Sequence, residues 1–97
     1  MTPVFSVRTT PHFERLAQRL FKGHPDFPEI LGRAREILQT DPYNHTRNYH
    51  IKKLEGVKQG EGQYRLSLGR FRFRYDIYGR EVVLQYCGLR REDTYRR

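Results

Sequence analysis

Three arginines in the second half of the chain, Arg65, Arg72 and Arg74, have the spacing of a binding surface. They occupy polar positions in two neighbouring segments in which apolar and polar residues alternate. This period of two predicts β-strands with one buried face and one solvent-exposed face, and the arginines fall on the exposed face. Guanidinium groups bind phosphate through paired hydrogen bonds, so the three together predict an anion site suited to a phosphodiester backbone. The alternative is that the long side chains splay apart and only shield the sheet from edge pairing.

A two-residue turn at Gly69-Arg70 determines how the two segments pair. It predicts a register in which every apolar residue lies on one side, and a shift by one residue would reverse that arrangement. The predicted pairs are Leu68 with Phe71, Leu66 with Phe73, Tyr64 with Tyr75, Arg65 with Arg74, and Ser67 with Arg72.

A second turn at Gly79-Arg80 predicts a further hairpin. Its expected pairs are Ile77 with Val82, Tyr75 with Leu84, and Phe73 with Tyr86, and Arg72 and Arg74 then reach toward Cys87 and Gln85. This register places Cys87 on the arginine face, where neighbouring positive charge would lower the pKa of its thiol. A small, half-buried side chain is the simpler interpretation of Cys87.

The first half of the chain predicts one strand followed by two helices. Val4-Phe5-Ser6-Val7 is short, β-branched and aromatic, as strands are. Thr10 is expected to cap the first helix, and Asp26 with Glu29 has the spacing of a capping box for the second. Both helices carry an apolar stripe at helical spacing. The stripes are Phe13, Leu16, Ala17, Leu20 and Phe21, then Phe27, Ile30, Leu31, Ala34, Ile37 and Leu38.

The whole pattern predicts a single α+β domain over residues 1–97. We expect an N-terminal strand, then an antiparallel two-helix hairpin packed on a three- to four-stranded antiparallel meander sheet. Residues Asn48 to Leu54 add either a further strand or an ordered loop.

The positive charge is concentrated in the half that carries the arginines. The net charge is +8, and from Arg47 onward thirteen basic and six acidic residues give +7 of it. Such a basic half with interleaved aromatic residues favours a polyanion, nucleic acid above all, as partner. No apolar run approaches the roughly 20 residues of a membrane span, and the first residues lack the features of a signal peptide. We therefore expect a cytoplasmic protein that has no membrane partner.

Several other kinds of chemistry are not expected from this sequence. It has no phosphate-binding Walker loop, and the single Cys87 rules out an internal disulfide and a multi-cysteine zinc site. The four histidines have no ligand spacing beyond a loose pair, His45 and His50, and no two carboxylates are spaced for acid–base work. We therefore expect neither a metal nor a cofactor.

Three motifs in this order give the chain a family resemblance. They are Lys53-Leu54-Glu55-Gly56, then the segment from Gly62 to Tyr75, and finally the segment from Gly88 to Tyr95. Together they resemble the pattern KLxG … GxYRxxxGxYRxxY … GxRxxxxY of the RelE/ParE toxin superfamily of type II toxin–antitoxin systems, with Phe71 an approximate match. The resemblance covers nearly the whole chain.

The resemblance to the RelE-like branch implies a ribosome-dependent endoribonuclease that cuts mRNA in the ribosomal A site without a metal. In such enzymes the ribose 2′-OH attacks the adjacent phosphate and the 5′-oxygen leaves. The residues that match the family's catalytic positions are Arg65, Arg72, Arg90 and Tyr95. Further RNA-binding residues are expected at Lys52, Lys53, Arg74 and Arg91.

The general base is left open at this stage. Ser67 stands where RelE-like enzymes have a second lysine, and arginine and tyrosine are poor bases at neutral pH. Lys52, Lys53 and His50 are the candidates. The partners that the resemblance implies are a cognate antitoxin, the ribosome and its mRNA. Two other functions fit the same chain, namely a ParE-like inhibitor of DNA gyrase and a basic RNA-binding module without catalysis.

Overall fold

The protein is described by a computed structural model, which covers residues 4–90. Two helices pack on a five-stranded mixed sheet with the strand order β1-β5-β4-β3-β2. The elements are β1 (Ser6–Thr9), α1 (Pro11–Gly23), α2 (Phe27–Thr40), β2 (His50–Lys53), β3 (Tyr64–Leu68), β4 (Phe71–Tyr78) and β5 (Glu81–Leu89). The predicted α+β architecture is confirmed.

The sheet has more strands than the predicted meander. The N-terminal strand joins it, because β1 pairs with β5 in parallel. The segment from Asn48 to Leu54 forms β2, which pairs with β3 at the opposite edge. No helix within residues 4–90 is both long and apolar enough to cross a membrane.

The two helices begin where predicted, but only one has the predicted cap. The Thr10 hydroxyl accepts a hydrogen bond from the Phe13 N–H at 3.0 Å, as expected. Asp26 precedes α2 without a capping hydrogen bond from its side chain, so the capping-box prediction is wrong. Its φ of −84° and ψ of −8° are already helical, whereas a capping residue is usually extended. The Asp26 carboxylate instead accepts from the Arg70 guanidinium at 3.1 Å.

The helices cover one face of the sheet and enclose the core there. Helix α1 packs on β5, and α2 contacts β1 and β3. The largest fully buried side chains include four phenylalanines and one tyrosine, namely Phe13, Phe27, Phe71, Phe73 and Tyr75. The helices thus leave the other face of the sheet open.

The register of β3 and β4 is as predicted, whereas that of β4 and β5 changes halfway. Tyr64 pairs with Tyr75 and Arg65 with Arg74. Ile77 pairs with Val82 as expected, but a bulge follows between Arg74 and Tyr75, with Gln85 as the extra residue. Beyond the bulge the pairs are Phe73 with Cys87, Arg74 with Tyr86, and Arg72 with Gly88.

The bulge overturns the prediction for Cys87. Its side chain faces the core and is 1% exposed, so it lies on the face opposite the arginines. Burial, with a smaller contribution from the charge of Glu14, raises the pKa of the thiol to about 12. The expected lowering of this pKa by arginine is therefore wrong.

Candidate functional site

The open face of the sheet carries two rows of paired residues, which together we call the basic face. One row runs Lys52, Arg65, Arg74, Tyr86, and the other runs His50, Ser67, Arg72, Gly88. Directly paired residues on neighbouring strands point to the same side, as do alternate residues on one strand. Arg65 and Arg72 therefore share one side of the sheet, as the predicted register required.

A groove of about 520 Å³ lies on this face. It is lined by Tyr49, His50, Ile51, Lys52, Arg65, Ser67, Gly69, Arg72 and Arg90. Four of these nine residues are Lys or Arg and none is Asp or Glu, so the groove favours an anion. We call it the basic groove.

The side chains of the two central arginines, Arg65 and Arg72, are restrained by the residues packed around them. Arg65 and Arg72 are half-buried, and the Nε atom of each is buried. Side chains fixed in this way lose little freedom when a ligand binds. The basic groove therefore offers positioned guanidinium groups rather than mobile ones.

Arg90 reaches the basic groove from the end of β5. Its backbone N–H donates to the carbonyl oxygen of Arg70 at 2.7 Å, which ties the end of β5 to the β3–β4 turn. Its side chain is exposed and lines the groove. The alternation of side chains along β5 is not enough to predict on which side of the sheet Arg90 lies.

Two predicted RNA-binding residues have other surroundings. Arg74 lies on the basic face, but its Nε donates to the carbonyl oxygen of Gly62 at 3.1 Å, and it does not line the groove. Lys53 pairs with Tyr64 and places its ammonium over that ring, 5.7 Å from the centroid, on the helix side of β3. Of the four predicted RNA-binding residues, Lys52 lines the groove, and Arg91 lies outside the described residues, as does the predicted catalytic Tyr95.

Residues 41–49 form a hydrogen-bonded loop that leads to the edge of the basic groove. The buried Asp41 carboxylate accepts from the N–H of His45 at 2.8 Å, and from the Thr46 N–H at 3.2 Å and hydroxyl at 2.6 Å. Burial alone would raise the pKa of Asp41. The donors from Thr46 and His45, together with the charge of His45, outweigh burial and hold this pKa below its ordinary value.

The same loop brings Tyr49 to the groove. The Asn44 side chain accepts from the Tyr49 N–H at 3.2 Å and donates to the Tyr49 carbonyl oxygen at 2.9 Å. Sequence reasoning missed Tyr49. The signal available was the cluster of turn-forming residues from Asp41 to Asn44, which marks an ordered turn but not the direction in which it sends the chain.

Sequence reasoning placed Tyr86 on the wrong face of the sheet, because it paired this residue with the buried Phe73. The bulge puts it on the basic face, where its phenol lies over Gly88. A Cβ atom at Gly88 would overlap the phenol oxygen of Tyr86, so a larger residue there would require the Tyr86 ring to move. The signal was the run Val82-Val83-Leu84, whose three consecutive apolar residues break the period of two and indicate an irregular strand.

A second buried carboxylate holds the bulge. Asp76 is fully buried and accepts from the backbone N–H groups of Gly62 and Gln63, each at 2.9 Å. It also accepts from the Gln85 side chain at 3.0 Å, and Gln85 is the extra residue of the bulge. Asp76 thus links the loop before β3 to the irregularity that turns Tyr86 toward the basic face.

Two helices on one side of a five-stranded mixed sheet and a basic groove on the other define an α+β protein with one basic face. Its fold is that of RelE. The chain superposes on the crystal structure of the archaeal RelE–RelB complex from Pyrococcus horikoshii OT3 with a TM-score of 0.64 and 23% sequence identity, covering 90% of this chain and 96% of that chain. At this identity the likeness shows the fold. No protein-family model matches the chain, and no curated protein matches it by sequence.

Proposed function

We propose that this protein is the toxin of a type II toxin–antitoxin system and acts as a ribosome-dependent endoribonuclease that needs no metal. The observation that carries the proposal is the basic groove on a RelE fold, in which Lys52, Arg65, Arg72 and Arg90 line one cavity. The similar structure from Pyrococcus horikoshii OT3 is a RelE–RelB complex, which supports the proposal that this protein also binds a partner protein.

The proposed reaction uses the substrate's own nucleophile. The ribose 2′-oxygen loses its proton to a base and attacks the adjacent phosphorus, and the bond from phosphorus to the 5′-oxygen breaks. The products are a 2′,3′-cyclic phosphate and a 5′-hydroxyl, whose oxygen takes its proton from water. Negative charge grows on the phosphorane oxygens in the transition state. The guanidinium groups of Arg65 and Arg72 are positioned to contact these oxygens. They therefore stabilise the transition state more than the ground state.

A base must take the proton of the 2′-hydroxyl. Of the three candidates, His50 and Lys52 line the basic groove, whereas Lys53 lies on the helix side of β3. Imidazole is the side chain suited to accepting a proton near neutral pH, while an ammonium group must first lose one. We therefore assign the base to His50, and assign Arg90 and Tyr95 to the leaving side on the strength of the family resemblance.

The proposed partners follow from the same surface. A ribosome-bound mRNA supplies the anionic strand, and the cytoplasm, where ribosomes translate, is the proposed location. An antitoxin that controls the toxin would carry an acidic segment, because the half of the chain from Arg47 onward has a charge of +7.

The test is induced expression of the wild-type protein, Arg72→Ala and a matched control, Arg80→Ala, in a bacterium. Arg80 is an exposed arginine in the β4–β5 turn, outside the basic groove. We expect growth arrest and new mRNA 5′ ends with the wild type and the control. In Arg72→Ala the cleavage rate should fall about 10²- to 10³-fold, while circular dichroism shows an unchanged fold.

Three outcomes would contradict the proposal. An Arg72→Ala variant that cuts mRNA like the wild type would remove the site assignment. DNA breaks in place of mRNA ends would indicate a gyrase inhibitor of the ParE type. Salt-sensitive RNA binding without any cleavage would indicate a binding module.

A further inference from the structure

A second groove lies beside the basic groove, and the two share Tyr49 as a wall. It has a volume of about 310 Å³ and is lined by Arg33, Glu36, Ile37, Thr40 and Tyr49. Cavities that hold small ligands start at roughly 300 Å³. The second groove therefore has room for one small group of a ligand whose remainder lies in the basic groove.

The two grooves differ in the chemistry of their walls. The basic groove has four cationic residues and no carboxylate, so it suits phosphate. The second groove combines the carboxylate of Glu36 with the guanidinium of Arg33, next to the buried Ile37. A carboxylate repels phosphate, but a carboxylate and a guanidinium together match the donors and acceptors on the edge of a nucleobase.

Tyr49 is held rigidly between these two environments. Both polar groups of its backbone are bonded to the Asn44 side chain, at 3.2 and 2.9 Å. Asn44 has a φ of 59°, a left-handed conformation that asparagine tolerates, and its N–H donates to the Asp41 carbonyl oxygen at 3.0 Å. The Tyr49 side chain is also half-buried and packs against the core, so its ring loses little conformational freedom when a base stacks on the part that lines the grooves.

We propose that Tyr49 and the second groove form a nucleobase subsite. The base of one nucleotide of a single-stranded RNA stacks on Tyr49 and turns its edge toward Arg33 and Glu36, while the neighbouring phosphate lies in the basic groove. The identification of the strand as RNA rests on the proposed function. The subsite gives the protein a contact with the base itself, in addition to the phosphate contacts proposed for the basic groove.

The test compares two strands that differ only in their bases. The probe is a short single-stranded 2′-O-methyl RNA, which cannot be cut through its own 2′-oxygen, and its partner is the same backbone with abasic positions. Affinities are measured by fluorescence anisotropy at low salt. We expect the wild type to bind the base-bearing strand about tenfold more tightly than the abasic strand, in line with the strength of base–aromatic stacking.

The variants separate the ring from the bulk of the side chain. Tyr49→Phe keeps the ring and should keep the tenfold difference. Tyr49→Leu keeps much of the packing and should abolish the difference, because the base-bearing strand loses its stacking partner. The matched control is Tyr43→Leu in the same loop, because Tyr43 contacts the rings of Phe5 and Tyr64 and lines neither groove; it should behave as the wild type does.

Equal affinity of the wild type for both strands, binding of neither strand, or a difference that survives in Tyr49→Leu would overturn the nucleobase subsite. These outcomes are distinct from failure of the proposed function. A protein that prefers the base-bearing strand but cuts no mRNA keeps the subsite and loses the nuclease. A protein that cuts mRNA but binds both strands equally keeps the nuclease and loses the subsite.

Discussion

Arg72 and Phe73 are neighbours in β4 that lie on opposite faces of the sheet. Phe73 is fully buried, and its ring stacks on that of Phe27 with 6.2 Å between centroids. Arg72 is half-buried and lines the basic groove. One strand therefore supplies the packing that stabilises the protein on its helix side and part of the charge of the basic groove, the proposed binding site, on its open side. The comparison teaches that stability and binding can be changed separately, one face at a time.

The largest expected effect is on the helix side. Phe73→Ala removes a fully buried ring and should lower the free energy of unfolding by about 3–5 kcal/mol. Arg72→Ala, one residue away, should change the free energy of unfolding by less than about 1 kcal/mol. The packing lost with the side chain is offset because the repulsion between Arg72 and the like charges of Arg65 and Arg74 is also removed. Urea denaturation followed by circular dichroism measures both. Similar losses in the two variants would show that the faces are not independent.

The next effect concerns Asp76, a buried carboxylate that faces the same side as the arginines. Asp76→Ala leaves the N–H groups of Gly62 and Gln63 and the amide of Gln85 without their acceptor. An unsatisfied buried donor costs about 1–3 kcal/mol, and with three donors affected we expect a loss of roughly 3 kcal/mol in the free energy of unfolding.

Asp26→Ala is the matched control for this prediction. The Asp26 carboxylate forms an exposed ion pair with Arg70, and such pairs contribute about 0–1 kcal/mol. Equal midpoints of urea denaturation for Asp76→Ala and Asp26→Ala would show that Asp76 does not stabilise the fold by linking the loop before β3 to the bulge.

A smaller effect is expected at Gly88, which lies against the Tyr86 phenol. Gly88→Ala pushes a methyl group against the Tyr86 phenol and should cost about 1–3 kcal/mol. Adding Tyr86→Ala should make the alanine at 88 nearly neutral, because the obstructing ring is gone. The cycle is measured by thermal or urea unfolding of the four proteins.

The control for the glycine effect is Gly32→Ala in α2, where no atom lies within 4 Å of an added Cβ. Alanine should stabilise that helix by about 0.5–1 kcal/mol. A Gly88→Ala variant that behaves like Gly32→Ala would contradict the placement of Tyr86.

The smallest effect is the pH dependence from Asp41. Its pKa is lower in the folded protein than the ordinary value of about 3.9, so the unfolded chain takes up the proton first. Asp41 therefore stabilises the fold above that pH, and this contribution is lost as the pH falls through the folded pKa. Asp41→Asn should show a smaller loss of stability between pH 5 and 3 than the wild type does in urea titrations, and equal slopes would exclude this role.

The sequence was informative where two local signals agree. The register of β3 and β4 was predictable because the turn at Gly69-Arg70 and the alternation of apolar residues require the same pairing. The parallel pairing of β1 with β5 was not, because no turn connects these strands and nothing local specifies their register. The bulge escaped prediction because residues 82–84 are all apolar and fit either face.

The same contrast holds for the candidate site. The shared side of Arg65 and Arg72 followed from strand alternation. Tyr49 and Tyr86 could not be placed, because the first depends on hydrogen bonds from Asn44 and the second on the bulge. Both depend on contacts between residues that the pattern of one segment does not reveal.

The central position of β5 has a consequence for how the chain is made. This strand lies between β1 and β4, yet it is the last strand in the described sequence. A nascent polypeptide that has emerged only as far as residue 80 lacks the middle of the sheet, so its first strand has no neighbour to pair with. The complete sheet beneath the basic groove can form only when the segment Glu81–Leu89 has left the exit tunnel, after all its other strands have been synthesised.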